Sequence, residues 1–415
     1  MSIPGSPLSE SEDAVADRDG RVTVGPPRVF DVAVIIVSYR SAPLTVACLR
    51  SLQIERSNPA LRIRAVVVDN ASGDLAEISR AVADNGWSSW VTLVDAPKNG
   101  GFAYGNNLGI ERAYGAGTPS YVFLLNPDAE VRAGAIAALV QFLEAHPEAG
   151  IAGPSFETAK GGEWKIAFRF PSLLAELEQG LEFSVATQLL RRWAVVRHMG
   201  DHCERVDWIS GSSMMIRPEV LAAVGGLDEN FFLFFEETDL CRRAHRAGFT
   251  TWYVPEGRVM HIGGATTSVN SKTTLTRLPH YWFESRRRYF AVTFGLARAM
   301  LIDLVAVGAH LLGAVKRLMQ GRLHGGRPRF IRDLLHHSVL WRRNREIPPV
   351  CCRIATSTRA AQTGSAATQP RTQLPGASSS AAPSLPRVAG ARAGSCSALE
   401  CSASHCSHAG HQDPS

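Results

Sequence analysis

No run of 18 or more apolar residues free of charge occurs in the 415-residue chain, so no segment reads as a plain transmembrane span. Residues 1–33 lack the basic-then-apolar order of a secretory signal and carry Glu10, Glu12, Asp13, Asp17 and Asp19 instead, which leads to the expectation of a cytosolic protein. Cysteine is scarce where the chain reads as folded. Only Cys48, Cys203 and Cys241 precede residue 350, too scattered for a disulfide framework. From Ile354 to Ser415 there is no Phe, Trp or Tyr, and Ala, Ser, Pro, Gly and Thr cannot bury enough apolar surface to offset the entropy of ordering. The tail's Cys396, Cys401 and Cys406 with His405, His408 and His411 are metal-ligating types, but nothing periodic surrounds them and they read as low-complexity chain. Residues 1–29 are polar, acidic and rich in Ser, Gly and Pro, and read as a disordered leader. Function is therefore expected between about 30 and 350, where the 45% hydrophobic content of the chain suffices for one large core or two smaller ones.

The first half of that window alternates short apolar runs with helical patterns, the signature of βα units around a mainly parallel sheet. Buried strands are expected at Val32–Val37, Ala65–Val68, Trp90–Val94 and Tyr121–Leu125. Each ends in polar or glycine-rich residues, and open α/β sheets bind ligands at that carboxyl edge. A nucleotide-type site is the default reading.

Asp128 follows the fourth strand through Asn126-Pro127. Proline restricts the residue before it to an extended conformation and aims the carboxylate at the rim. A divalent cation bridging a diphosphate suits that carboxylate, and so does a simple helix cap. Asp69 ends the second strand and fits either a ribose contact or a cap. In the stretch from Asn99 to Gly109, Asn99 and Asn106 offer amides to phosphate or ribose, while its glycines fit close ligand approach or close helix packing equally well. The spacing is neither a P-loop nor a dinucleotide fingerprint. Trp208 to Arg217 reads as a strand broken at Gly211, and Val224 to Glu229 as a turn. The aromatic block Phe231–Phe235 runs into Glu236, Glu237 and Asp239 at a helix start. Such carboxylates are general-base candidates, since burial and mutual repulsion raise a pKa, or simply favourable first-turn acids. His261 is a lone histidine at a strand end, able to ligate a cation or serve structurally.

In this order the motifs resemble an inverting glycosyltransferase of family 2, in particular its bacterial rhamnosyltransferase-like branch. The resemblance covers about residues 30–320 and rests on Val-Ser-Tyr at 37–39, Val-Asp-Asn-Ala-Ser at 68–72, Asn-Gly-Gly-Phe-Ala at 99–103, Asn-Pro-Asp at 126–128, Ser-Gly-Ser at 210–212, Gly-Gly-Leu-Asp-Glu at 225–229 and Phe-Glu-Glu-Thr-Asp-Leu-Cys-Arg-Arg at 235–243. It implies a GT-A-type α/β fold, a mainly parallel sheet flanked by helices and followed by a basic helical C-terminal region. It further implies donor binding by Ser38, Tyr39, Asp69, Asn99, Gly101, Phe102, Asn106, Asn126 and Asp128. Mg or Mn would sit on Asp128 with His261, and Asn126 replaces the first carboxylate of the family's Asp-x-Asp. The base would be Glu237, with Glu236 and Asp239 as fallbacks, and Trp208, Gly211 and Ser212 would face the acceptor.

Thirteen Arg and Lys against two Asp between Arg286 and Arg345 give a local balance of +11, which suits an interfacial helix pair on an acidic membrane. Nucleic acid is not expected, for the segment lacks stacking platforms and a helix-turn-helix pattern. The expected layout is a leader at 1–29, a catalytic domain at 30–270, a membrane-surface-associating helical region at 271–349 and a low-complexity tail at 350–415. The implied activity is transfer of rhamnose from dTDP-rhamnose to a saccharide or polyprenyl-diphosphate-linked acceptor in envelope polysaccharide synthesis, on the cytoplasmic face of the inner membrane. The alternatives are the same chemistry with a UDP-hexose and a catalytically silent nucleotide-sugar-binding or scaffold protein.

Overall fold

The computed structural model describes residues 14–16, 22–24, 28–157, 166–181, 184–261, 277–321, 327, 329–342 and 346–352, all within one compact unit. The expected tail with its Cys and His tract lies outside the described residues, as does most of the expected leader. Within the leader, β1 (Ala14–Ala16) and β2 (Val22–Val24) pair as an antiparallel hairpin, a departure from the expectation of disorder that fits the β-propensity of Val15, Val22 and Val24.

Then come β3 (Phe30–Ser38), α1 (Ala42–Glu55), β4 (Leu61–Asp69), α2 (Leu75–Asp84), β5 (Val91–Asp95), α3 (Gly101–Gly115) and β6 (Tyr121–Leu125). The middle holds β7 (Ala129–Val131), α4 (Ala135–Ala145), β8 (Ala149–Glu157), β9 (Ala167–Phe168), α5 (Leu173–Leu181), α6 (Ser184–Leu190), β10 (Glu204–Val206), β11 (Trp208–Ile209) and β12 (Ser213–Ile216). The last elements are α7 (Pro218–Val224), α8 (Glu236–Arg246), β13 (Thr250–His261), α9 (His280–Phe294), α10 (Leu296–Met319) and α11 (Phe330–His337).

Nine strands form one mixed sheet in the order β10-β13-β8-β12-β6-β3-β4-β5, with β7 pairing β13. β3, β4, β5 and β6 run parallel, and β12 lies antiparallel between β6 and β8, so β8 and its parallel partner β13 point the same way as the first four. Six carboxyl ends therefore line one edge, where ligands meet such sheets. The central strands are apolar throughout because helices cover both faces: Val32 to Ile36 and Val122 to Leu124 are wholly buried.

Close packing positions this edge. Gly105 and Gly109 of α3 serve helix packing: a Cβ on Gly105 would stand 2.6 Å from Val37, and one on Gly109 2.5 Å from Ile35. Two distant carboxylates cap helices that lack local caps. Asp74 accepts from the Ser41 and Ala42 backbone N–H groups at the start of α1, and Glu55 accepts from Gly134 and Ile136 at the start of α4.

The C-terminal helices are bound to the catalytic part rather than appended to it. Buried Arg286 of α9 donates to Glu176 of α5 at 2.8 Å and to Asp303 of α10 at 2.6 Å, and Asp303 also accepts from the Val339 N–H. Arg288 pairs with Asp228 and donates to the Pro348 carbonyl, while the Cys351 N–H donates to Asp228 and the Glu229 N–H to the Cys351 carbonyl. The packed chain thus continues through 346–352, past the expected start of the tail at 350. α10 is the one helix among the described residues long and apolar enough to cross a membrane, by length and composition.

Candidate active site

Loops leaving β3, β4 and β6 and the start of α3 enclose a cleft of about 340 Å³, lined by Val37, Tyr39, Asn70, Asn99, Gly101, Phe102, Asn126, Pro127, Phe232, Leu233 and Tyr281. That volume is of the order that small-molecule sites offer. Five of the expected donor residues line it: Tyr39, Asn99, Gly101, Phe102 and Asn126. The floor is preorganised, since Asn70 donates to the Asn99 side chain and the Gly101 carbonyl, both at 3.1 Å, and accepts from the Gly100 N–H.

Ser38, Asp69 and Asn106 make hydrogen bonds within the frame. Wholly buried Ser38 is bonded to Ser41 and Thr45. The Asp69 carboxylate accepts from Ser72 and the Gly73 N–H, a turn-stabilising role. Asn106 donates to the Phe102 carbonyl one turn back. Its neighbour Asn107 exchanges bonds with both backbone groups of Leu227, clamping α3 to the Gly225-Gly226 turn.

One side of the cleft was not foreseen. Phe232 and Leu233 belong to the aromatic block before α8, which was not expected in the cleft, and Tyr281 comes from α9, beyond the expected catalytic boundary at 270. Its ring lies 5.4 Å from Phe232 and 6.2 Å from Phe234. The Phe232 carbonyl accepts from the Phe102 N–H at 2.8 Å. Gly101, at φ +86, allows this approach because any Cβ there would collide with the Phe232 backbone.

Asp128 stands at the rim beyond Asn126 and Pro127, 2% exposed, with Oδ1 3.3 Å from His261 Nε2. The register that pairs His261 with Ala129 sets this distance, and Phe156 stacks on the imidazole at 5.1 Å. One carboxylate and one imidazole suit a divalent cation. Among the described residues no group of three or more His, Cys, Asp or Glu converges, so a cation held here would draw further ligands from a bound diphosphate and water.

The acids Glu236 and Glu237 open α8 directly after Phe234 and Phe235, two consecutive non-glycine residues at φ 71 and 70. Left-handed backbone at bulky residues is strained and marks functional segments. Desolvation raises the Glu237 carboxyl to about 7, against the lowering effect of N–H donors at Glu237, Gly211 and Thr238. Burial and then the Glu237 charge hold Glu236 well above the ordinary carboxylate range. Asp239 is engaged by Arg243 at 2.7 Å, and Arg243 also donates to the Val224 and Gly226 carbonyls, which leaves Asp239 a structural tie.

Gly211 lies between Glu237 and the cleft. A Cβ at this glycine would meet Phe102 at 3.1 Å and Glu237 at 3.3 Å, and the next residue, Ser212, accepts from the Asn126 N–H at 2.8 Å. Trp208 stacks on Phe168 at 4.1 Å and donates to the Arg169 carbonyl. Gly211 and Ser212 therefore touch both halves of the site, while Trp208 sits one short strand away.

The family model described as glycosyltransferase-like family 2 matches residues 27–287. An N-acetylglucosaminyl-diphospho-decaprenol L-rhamnosyltransferase of Mycobacterium tuberculosis is 30% identical over 243 residues, 55% of this chain and 75% of its own length. The low-salt glycan biosynthesis hexosyltransferase Agl10 of Haloferax volcanii is 28% identical over 218 residues, 52% of this chain and 62% of its own. Among solved structures, a mannosyltransferase of Pyrobaculum calidifontis, in complex with GDP-Man and Mn2+, aligns with a TM-score of 0.47 at 16% identity over 81% of this chain and 92% of that one. With most of the folded chain matched, the protein belongs to the family 2 glycosyltransferases and is a glycosyltransferase.

Proposed function

We propose that the chain is an inverting transferase that moves rhamnose from dTDP-rhamnose to a polyprenyl-diphosphate-linked saccharide at the cytoplasmic face of a membrane, in envelope polysaccharide synthesis. The observation that carries the chemistry is the linkage of a cleft, a rim Asp128–His261 pair and a desolvated Glu237 through Phe102 and Gly211. The choice of sugar and acceptor draws support from the mycobacterial relative, whose name states both. The relative named as a hexosyltransferase supports hexose transfer, and the second reading is the same chemistry with a UDP-hexose donor.

Glu237 takes the proton of an acceptor hydroxyl, whose oxygen lone pair forms the new bond to the anomeric carbon. The bond from that carbon to the diphosphate oxygen breaks on the opposite face, its electron pair leaves with the nucleoside diphosphate, and the configuration inverts. One carboxylate suffices, unlike the acid and base pair of a glycoside hydrolase. Tyr39, Asn99 and Phe102 hold the nucleoside, and Gly211 and Ser212 orient the acceptor. Asp128 and His261 would hold Mg or Mn, which when bound neutralises charge on the diphosphate.

The test is thermal stability with dTDP, UDP, GDP and CDP, each with and without Mn, because a ligand that binds only the native state raises Tm. A Mn-dependent rise with dTDP that disappears in Asp128→Ala is expected. A rise with UDP alone would replace the donor assignment, and no rise with any nucleotide would overturn the reading.

A further inference from the structure

α10 exposes a face that water does not favour. Leu301, Leu304, Leu311, Leu312, Val315 and Leu318 are 49–61% exposed, and Met319 is 84% exposed. Their spacing places them on one stripe over about five turns. The opposite face, through Ala299, Ile302, Asp303, Ala306, Ala309 and Gly313, is buried, and α10 packs there on α5 so tightly that a Cβ on Gly180 would lie 2.6 Å from Ala309. A contiguous stripe of this kind marks an interaction surface rather than ordinary scattered exposure.

We infer that the leucine stripe of α10 seats the enzyme in the interfacial layer of an anionic bilayer, parallel to its plane, with Arg298 at one end of the helix and Lys316 at the other flanking the stripe toward the headgroups. This rests on the reading of a lipid-linked acceptor above and names the contact that brings the site to it.

Three observations select that occupant. The charge is complementary: both ends of α10 are basic, and its one acid, Asp303, is buried against Arg286. A second copy docked antiparallel along the stripe would bring Arg298 against Lys316 of its mate, like charge on like charge. Among the described residues no segment covers the stripe, whose Leu301, Leu304, Leu311 and Leu312 stay about half exposed. A transmembrane course is opposed by the buried face, because insertion would strip α10 from α5 and separate Asp303 from Arg286, leaving buried charges unpaired.

Flotation of the full-length protein tests the assignment, on vesicles of phosphatidylglycerol with phosphatidylcholine and on phosphatidylcholine alone. The wild type is expected to float with the anionic vesicles, to keep part of its binding at high salt through the leucines, and to be released by alkaline carbonate as a surface protein is. Leu304→Glu/Leu311→Glu, exposed positions that leave Tm unchanged, should reduce binding ~tenfold or more. Equal flotation of the variant, no flotation of the wild type, or resistance to carbonate would overturn the inference, and so would a wild-type dimer in light scattering that the same substitutions dissociate. Release of nucleoside diphosphate with a water-soluble acceptor, measured on the same samples, separates the two readings. Protein that floats without turnover defeats the transferase reading alone, and protein that turns over without floating defeats this one alone.

Discussion

Glu237 sits where its carboxylate is deprived of water yet touched by backbone N–H groups, and the balance leaves it titrating at about 7. A base must be deprotonated to work, so transfer should rise with pH through about 7 in a pH–rate profile. Glu237→Gln should lower kcat by roughly 10²–10⁴-fold while donor affinity, read by thermal shift, is retained. The same residue predicts a stability effect of opposite benefit. Its folded-state value is raised from the ordinary 4.5, so the folded state binds this proton more tightly than the unfolded chain does. Stability is therefore lost as pH climbs from 4.5 to 7. Glutamine has no charge to desolvate, so the variant's Tm should exceed the wild type's at pH 8, and the gap should close as pH approaches 4.5. Melting curves across that range check both limbs.

Helix α3 is held to the sheet by the absence of side chains. Gly105→Ala must push Val37 aside on the strand that leads into the cleft, a tightly packed insertion expected to cost ~1–3 kcal/mol in denaturant unfolding. The same change at Gly115, where nothing lies within 4 Å, should be neutral. The two glycines look alike in the sequence, because the difference between them is set by what the fold brings opposite. The apolar runs of β3, β4 and β6 were legible since burial on both faces needs continuous apolar residues. Asp128, His261 and Glu237 were singled out because their motifs sit where strands and helices end, and the structure places Asp128 beside His261 and raises the Glu237 carboxyl. Asp69 and Asn106, expected at the ligand, hold the turn after β4 and the Phe102 carbonyl one turn back in α3. Asp74, Glu55 and Tyr281 gave no signal, for each acts on a residue more than 30 positions away and nothing local distinguishes it.

At the scale of the molecule, the segment 346–352 closes the Arg288–Asp228 pair, so the place where the chain is cut matters to the residue. Deletion of residues 353–415 should leave Tm and nucleotide release unchanged. Deletion of 346–415 removes the backbone partners of Arg288, Asp228 and Glu229 and should lower Tm measurably, because a buried charged pair loses hydrogen bonds that water does not replace in kind. Scanning calorimetry of the two truncations distinguishes them. Tyr281 carries a different consequence, for anyone who would build chimeras from this family. A splice made at residue 270, the expected catalytic boundary, would replace Tyr281 in the wall of the cleft with a residue from the other parent. Such a hybrid would inherit part of its donor preference from the anchor's parent, whereas a junction beyond Phe294 would move the membrane contact and leave the sugar choice behind.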